Sequence, residues 1–183
     1  MKASLNWLKN YVVFKDTPEH LAHRLTMAGL EIEKIHPVGD DIVFELEITP
    51  NRPDCLNHIG LAREIAAIYN KSLKIPPVKK PFSQSKSISI KIENQKDCAR
   101  YIGALVKNTE VKSTPQSIKE KLVSIDLRSI NNVVDITNFC LMETGQPMHA
   151  FDYDKLQGGC IIVRRARKGE TIVTIDEVER KLD

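Results

Sequence analysis

The chain has 183 residues, of which 42% are hydrophobic and 28% are charged, and its formal net charge is +3. This composition is ordinary for a globular protein, and the length suits one sizeable core or two small domains. A net charge this small does not by itself indicate a nucleic-acid partner. No apolar run approaches the roughly 20 residues of a membrane-spanning helix, and the first residues lack the apolar core of a signal peptide, so we expect a cytoplasmic protein.

The first part of the chain predicts a helix, a strand and a second helix. Thr17 is a good N-cap with Pro18 at the first helical position, and Gly29 ends the helix. Apolar and polar residues alternate from 42 to 48, which predicts a half-buried strand, and residues 57–69 carry one apolar helical face. We expect these three elements to form one compact unit, because none can bury its apolar face alone.

Residues 75–81 contain three prolines and predict an extended linker on the surface. Proline stiffens the chain and removes backbone hydrogen-bond donors, so such a segment does not join a helix or a sheet. We place the domain boundary there, which gives predicted domains of residues 1–80 and 81–183.

The second region begins with apolar residues at 88, 90 and 92, which predict a strand. Thr114 and Pro115 repeat the cap-and-proline signal and predict a helix that runs through Leu122. The other predicted elements are a helix over 133–143 and strands over 101–106, 160–163, 171–175 and 179–182, with turns near 168–169 and 176–177. This order, without an internal repeat, indicates an α+β fold.

The chain has four widely spaced cysteines, Cys55, Cys98, Cys140 and Cys160, and none of its five histidines clusters with them. No Cys-x-x-Cys pair is present. This spacing argues against a structural zinc site and against a disulfide framework. We therefore expect no metal, and we predict that the cysteines are buried free thiols.

Residues 145–152 are the most informative stretch of the chain. Gly145 and Pro147 end the preceding predicted helix, so that His149 stands at an exposed junction where it can reach a ligand. From these residues alone, a loop histidine that bonds only locally is an equal alternative. Just upstream, residues 128–138 contain three polar side chains that do not fit a simple buried stripe, those of Asp135, Thr137 and Asn138.

Together these two segments resemble the phenylalanyl-tRNA synthetase beta subunit at the entrance to its editing domain. Residues 47–56 with 60–64, and residues 25–31, resemble the same family and occur in the same order. The resemblance implies a small N-terminal α/β domain, residues 1–80, followed by part of the α+β editing domain of the B3/B4 type, residues 81–183. It also implies that the chain is an N-terminal piece of a longer subunit.

Most bacterial members of that family carry an oligonucleotide-binding domain inserted between the first helical region and the strand that precedes the proline-rich block. Here residues 38–41 cross that gap in four residues, so no such domain fits. The domain is either naturally absent from this lineage or has been removed from this chain. We expect Gly39 to permit a compact helix-to-strand connection at this point.

The resemblance further implies that the beta subunit removes tyrosine from mischarged tRNA(Phe) by hydrolysis. A pocket selective for phenylalanine rejects one added hydroxyl only weakly, by about a hundredfold, so a second, hydrolytic site is needed. The positions that match the family's site are Arg128, Thr137, Asn138, Pro147 and His149.

The chemistry of these side chains suits the roles that the resemblance implies. His149 can orient the terminal adenosine or a water molecule by hydrogen bonding. Thr137 and Asn138 can hold the amino acid or the attacking water, and Arg128 can pair with a phosphate near the acceptor end. A structural alternative stands beside each role, because Thr137 and Asn138 can cap a helix turn and Arg128 can bridge surface acids.

By the same resemblance the chain works with an alpha subunit in an (alpha-beta)2 heterotetramer and with tRNA(Phe), and with neither DNA nor a membrane. ATP and Mg2+ serve the aminoacylation of tRNA(Phe) on the alpha subunit, and the sequence lacks the corresponding motifs, so we expect no cofactor on this chain. The alternative is a non-catalytic RNA-binding or assembly module that shares the fold. An editing site would release tyrosine from mischarged tRNA, whereas such a module would not.

The family's residue that recognises the tyrosine hydroxyl lies beyond the position of Asp183. A hydroxyl-specific site loses its discrimination when the partner of that hydroxyl is missing. We therefore expect that the 183-residue chain alone neither charges tRNA nor clears tyrosyl-tRNA(Phe) appreciably faster than spontaneous hydrolysis.

Two further charged segments have open interpretations. Residues 49–54 hold two prolines and Asp54, a candidate N-cap, and predict a rigid strand-to-helix connection. Within them Arg52 can pair with an acid of the same domain or with tRNA, and we favour the first because proline-fixed turns usually serve packing. The basic residues 164–168 form either a solvated surface or a phosphate contact.

Overall fold

The computed structural model describes residues 1–77, 88–174 and 176–182, and it is an α+β structure, as predicted. It divides into two compact units, Met1–Lys79 with Glu110–Ala150, and Lys80–Thr109 with Phe151–Asp183. These units do not coincide with the predicted division at residue 80, because residues 110–150 pack with the first unit; as family domains, 1–80 and 81–183 stay a prediction.

Within the described residues, no helix combines the length and the apolar character that crossing a membrane requires.

The first unit contains three strands and five helices among its described residues. The strands are β1 (Lys2–Ser4), β2 (Glu31–Val38) and β3 (Asp41–Glu47). The helices are α1 (Leu5–Leu8), α2 (Pro18–Met27), α3 (His58–Ile68), α4 (Gln116–Ser124) and α5 (Asn132–Thr144), with a 3-10 turn at Pro53–Cys55 before α3.

The strands form an antiparallel sheet in the order β1-β3-β2. The sequence predicted β3 but not β2, because a bulge between Ile32 and Lys34 shifts the register of β2 and breaks the alternation of its apolar residues. The predicted crossing at 39–41 is compact, but it is a hairpin between two strands and not a helix-to-strand connection. Gly39 opens this turn with φ +58°, a conformation that glycine adopts without strain.

The elements predicted to form one compact unit share a single core. Leu21 and Leu25 of α2, Phe44 of β3, and Leu61 and Ile65 of α3 are all buried in it. Burying each such side chain contributes about 1.5–3 kcal/mol relative to leaving it exposed. The sheet and the helices of the first unit are therefore held together by ordinary apolar packing.

Helix α2 has the ends that the sequence predicted. The Thr17 hydroxyl accepts a hydrogen bond from the backbone N–H of His20 at 3.3 Å, and Gly29 follows the helix with φ +91°. For α3 the predicted cap was wrong. Asp54 lies in the 3-10 turn, and the side-chain oxygen of Asn57 caps the helix by accepting from the N–H of Gly60 at 2.8 Å.

Helices α4 and α5 lie close to their predicted ranges. The prediction that Thr114 caps α4 was wrong, because its hydroxyl donates instead to the buried carboxylate of Asp135. Asn131 caps α5 by accepting from two backbone N–H groups, each at 3.0 Å. Gly145 ends α5 in the left-handed conformation, with φ +77°.

The second unit contains two short sheets among its described residues. The strands β4 (Ser89–Ile92) and β5 (Cys160–Val163) pair in parallel, and β6 (Thr171–Val173) pairs antiparallel with β7 (Glu179–Lys181). These strands confirm the predictions for the same regions, although Ile175, the end of the strand predicted over 171–175, lies outside the described residues. Two 3-10 turns, Tyr153–Lys155 and Gln157–Gly159, precede β5.

The predicted strand over residues 101–106 was wrong. Burial alternates along it, since Tyr101 and Leu105 are half-buried while Ile102 and Val106 are exposed, but no described strand pairs with it. Alternation is one condition for a strand, and a backbone partner is the other. The predicted linker is described only at 75–77, which carry neither helix nor strand; residues 78–81 lie outside the described part.

Candidate functional site

The segment that follows α5 contains two of the five candidate residues. Residues 146–149 are all exposed, and they include Pro147 and His149. The N–H of Gly145 still bonds the carbonyl of Leu141 at 2.8 Å, so the chain leaves the helix from a well-formed last turn. His149 therefore stands on a short exposed segment whose starting point is fixed by α5.

Thr137 and Asn138 lie on α5 itself, and both are half-buried. The Thr137 hydroxyl donates to the carbonyl of Val134 at 2.7 Å, so its hydrogen is committed within the helix and only its lone pairs can bind a ligand. Neighbouring helical positions point about 100° apart, and Thr137 lies about 10 Å along the axis from the end of α5. The structure thus places these two side chains on the helix and His149 beyond its end.

Arg128 is exposed in the connection between α4 and α5. Its neighbours are fixed, because Leu127 packs against the core and the N–H of Ile130 donates to Asp135 at 2.9 Å. The backbone at Arg128 is held while the guanidinium faces solvent. This arrangement suits a phosphate contact and suits an ordinary surface cation equally well.

Asp135 has a role near this site that the sequence did not assign. The side chain is fully buried, and its carboxylate accepts from the hydroxyls of Thr114 and Ser129 and from the N–H of Ile130. Burial alone would raise the pKa of this carboxyl, but the surrounding donors together outweigh burial and lower the pKa. Asp135 therefore joins the segments that flank α4 to the first turn of α5.

Arg52 pairs inside the first unit, which confirms the favoured interpretation. Its guanidinium donates to both carboxylate oxygens of Asp54, at 3.0 and 2.9 Å, and contacts Glu64 at 2.8 Å. It also donates to the sulfur of Cys55 at 3.0 Å. The bond from Arg52 lowers the pKa of Asp54 to about 2, whereas burial raises the pKa of the Cys55 thiol to about 12.

Asp54, Cys55 and Glu64 also offer three ligand atoms within 4.8 Å of one another, as a metal site would. Arg52 contacts all three side chains and already supplies a positive charge. Burial raises the pKa of the Cys55 thiol, so a metal ion would also have to displace a proton from the sulfur. A metal ion would have to displace the guanidinium, so the residues serve as a closed ion-pair network.

Replacing Arg52 with lysine should lower the midpoint of denaturation, because one ammonium cannot bridge a bidentate carboxylate, a second acid and a thiol. Chemical denaturation monitored by circular dichroism would measure the change. Arg63→Lys, at an exposed position of α3, is the matched control and should change stability by a few tenths of a kcal/mol. Equal effects of the two substitutions would show that the Arg52 network contributes nothing.

The sequence also predicted the state of the cysteines and two alternatives for the basic run, residues 164–168. All four cysteines are free, but only Cys55 is buried, and the other three are half-buried. In the basic run, Arg164 pairs with both oxygens of Glu170, at 2.8 and 2.6 Å, and Arg165 pairs with Asp97. These intramolecular pairs favour the interpretation of the run as a solvated surface.

Two shallow cavities lie on the described surface. One, of about 290 Å3, is in the first unit and is lined by Thr26, Gly29, Glu31, Glu47 and Thr49. The other, of about 170 Å3, is in the second unit and is lined by Asn94, Asp97, Cys98, Val163, Arg164 and Arg165. None of the five candidate residues lines either cavity.

Comparisons with known proteins give one domain family and several relatives of this chain. Residues 97–183 match the B3/4 domain family. The chain is 49% identical over 146 residues to the phenylalanine--tRNA ligase beta subunit of Fusobacterium nucleatum, an alignment that covers 78% of this chain and 18% of that protein. The beta subunits of Carboxydothermus hydrogenoformans and Rhodopirellula baltica are 47% and 40% identical, over 84% and 96% of this chain and 19% and 26% of their own lengths.

Among solved structures, the chain is similar to a crystal structure of an N-terminal fragment of the phenylalanyl-tRNA synthetase beta subunit from Pyrococcus horikoshii. The alignment covers 100% of this chain and 50% of that chain, with 18% identity and a TM-score of 0.47. Against the curated relatives, the chain spans only 18% to 26% of their length.

Proposed function

Because the chain belongs to the phenylalanine--tRNA ligase beta-subunit family, we propose that it forms part of that ligase. In this proposal it contributes to tRNA binding and to hydrolytic editing of tyrosyl-tRNA(Phe). The observation that carries the proposal is the identity of 40% to 49% over most of the chain to proteins of that name. The exposed segment with His149, directly after α5, supports it.

The proposed role in the ligase implies specific partners. The proposed partners are an alpha subunit, in an (alpha-beta)2 assembly, and tRNA(Phe), in the cytoplasm. ATP and Mg2+ would serve aminoacylation on the alpha subunit, so the editing step proposed for this chain uses water and the mischarged tRNA alone.

The proposed reaction is attack of water on the carbonyl carbon of the ester that joins tyrosine to the terminal ribose. The bond between that carbon and the ribose oxygen breaks, tyrosine leaves with a carboxyl group, and the ribose regains its hydroxyl. An aminoacyl ester is already labile, so positioning of the water and of the ester can supply most of the acceleration. A strong base is therefore not required.

The side chains divide these tasks according to their hydrogen-bonding capacity. His149 would orient the water or the terminal adenosine from the exposed segment. Asn138 can both donate and accept, whereas Thr137 can only accept, because its hydrogen is bonded to Val134. Arg128 would hold a phosphate, and Pro147 would restrict the backbone beside His149.

In the complete subunit paired with its alpha partner, His149→Ala should slow release of tyrosine from mischarged tRNA by roughly 10–100-fold, as expected for loss of one positioning group. Charging of tRNA with phenylalanine should stay unchanged, since that chemistry belongs to the other subunit. Free tyrosine released from tyrosyl-tRNA(Phe) is the quantity to follow.

The matched control is His23→Ala, which removes an exposed histidine from α2 and should leave both activities at the wild-type level. Release that is unaffected by His149→Ala would contradict the proposal. If tRNA affinity alone changed, a non-catalytic RNA-binding module would be the better description of the chain.

A further inference from the structure

The last turn of α5 is held by side chains that are distant in sequence. The Tyr11 hydroxyl, just after α1, donates to the carboxylate of Glu143. The Tyr11 ring is only 2% exposed, and its oxygen accepts in turn from the indole N–H of Trp7 at 2.8 Å. Trp7 also stacks on Phe139 of α5, with ring centroids 5.0 Å apart and planes within 9°. One side of α5 is therefore bonded and stacked against the buried start of the chain.

Two residues at the start of α3 hold the same turn. A ring nitrogen of His58, Nδ1, lies 2.8 Å from the carbonyl oxygen of Met142. The side-chain nitrogen of Asn57 lies 2.8 Å from the place that a Cβ on Gly145 would occupy. The Asn57 side chain is itself fixed, because its oxygen caps α3 and its nitrogen donates to the carbonyl of Asp54 at 3.0 Å. We call Tyr11, Asn57 and His58 the α5 clamp.

The clamp acts on the three residues from which the exposed segment departs, Met142, Glu143 and Gly145. His149 is only four residues beyond Gly145, so its Cα lies within about 14 Å of that point. Pro147 fixes one backbone angle in between and restricts the residue before it. A change in the direction of the last turn of α5 would therefore move His149, because so few backbone angles separate them.

We propose that the α5 clamp positions His149 for hydrolysis of the aminoacyl ester, with Tyr11 as a positioning residue that acts through Glu143. The proposal rests on the proposed editing function. The clamp proposal goes beyond the editing function, because it makes the start of the chain a determinant of the hydrolysis rate. The start of the chain carries none of the candidate site residues.

The chain contains a matched pair of tyrosines for the test. Tyr11 and Tyr69 each donate a hydroxyl hydrogen to a carboxylate of the first unit, Tyr11 to Glu143 and Tyr69 to Asp16. Only the first of these carboxylates is on α5. Tyr11→Phe and Tyr69→Phe each remove one oxygen and keep the ring, so they separate loss of the clamp from loss of a comparable hydrogen bond elsewhere.

In the complete subunit with its alpha partner, Tyr11→Phe should lower kcat for release of tyrosine from tyrosyl-tRNA(Phe) about tenfold, as a small misplacement of a site group does, with KM for the tRNA little changed. Amide hydrogen exchange at residues 146, 148 and 149 should become faster in the same variant. Tyr69→Phe should change neither quantity. Glu143→Gln keeps an oxygen that accepts from Tyr11 and should retain wild-type release, whereas Glu143→Ala should match Tyr11→Phe.

The outcomes separate the two proposals. Release and exchange that are equally affected in the Tyr11 and Tyr69 variants, or unaffected in both, would overturn the clamp. A strong effect of His149→Ala beside a wild-type Tyr11→Phe would overturn the clamp and leave the editing function standing. Faster exchange in Tyr11→Phe, with release that neither it nor His149→Ala alters, would refute the editing function and with it the role of the clamp in that reaction.

Discussion

Replacing Gly60 with alanine should destabilise the protein by about 3 kcal/mol or more, as overpacking against fixed backbone does. A Cβ at this position would lie 1.8 Å from the carbonyl oxygen of Asp54 and 2.9 Å from its carbon. Both atoms belong to the backbone of the 3-10 turn, so no side-chain rotation can relieve the contact. The N–H of Gly60 is also bonded to the cap Asn57, which keeps α3 from moving away.

The control for this substitution is Gly39→Ala at the tip of the β2–β3 hairpin. Gly39 has φ +58° but nothing within 4 Å of its potential Cβ, so alanine there meets only the cost of the left-handed conformation, about 1–2 kcal/mol. Thermal and denaturant unfolding of the two variants would measure the difference. A Gly60→Ala variant that is no less stable than Gly39→Ala would show that the turn before α3 can move.

Acidification from pH 6.5 to 4 should remove on the order of 3 kcal/mol of stability through His58 alone. Burial lowers the pKa of His58 to about 4, from an ordinary value of 6.5. The imidazole is fully buried, stacked 3.8 Å from the Trp7 ring, and its Nε2 accepts from the N–H of Ser4 at 3.3 Å. With Nδ1–H donating to the carbonyl of Met142, the neutral ring satisfies both hydrogen-bond partners. Its one lone pair, on Nε2, is already bonded to the N–H of Ser4, so a second proton could bind only by breaking that bond.

Because the pKa of His58 is lowered in the folded protein, stability falls as the pH falls. Above pH 6.5 the histidine is neutral in both the folded and the unfolded chain, and the free energy of unfolding does not depend on its protonation. Between pH 6.5 and about 4 the unfolded chain binds a proton that the folded protein does not, so stability falls as the pH falls. Below about 4 the ring is protonated in both states, and its contribution no longer changes.

Two measurements would check the His58 prediction. NMR titration should show the His58 ring resisting protonation down to about pH 4. The difference in unfolding free energy between the wild type and His58→Gln should shrink as the pH falls through this range. A His58 ring that titrates near its ordinary pKa would disprove the prediction.

Local signals predicted much of the fold. Thr17 and Gly29 bound α2 because capping and left-handed geometry depend on single residues and their immediate neighbours. The strand over 101–106 failed for the opposite reason, since pairing depends on residues elsewhere in the chain. Thr114 failed similarly, because a buried acid 21 residues away took the hydroxyl that was expected to cap α4.

The sequence predicted that the candidate site is exposed, but it did not predict the contacts that fix the end of α5. Gly145 and Pro147 mark the end of a helix wherever they occur, and so the sequence located the exposed segment with His149. The bond from Tyr11 to Glu143 joins residues 132 positions apart, and no local pattern indicates it. Such contacts arise only when the core brings α1, α3 and α5 together, so the sequence named the candidate site residues but not the residues that contact the end of α5.

The hairpin between β2 and β3 is also a place where the chain can be lengthened. Val38 and Asp41 are paired across the sheet, so the two ends of the loop are already neighbours. A folded insert whose own termini lie close together can replace Gly39 and Asp40 without changing the strand register, and closing even a long loop there adds little entropy cost. The hairpin can therefore be closed by two residues or by a longer insert, and the strand register is the same in either case.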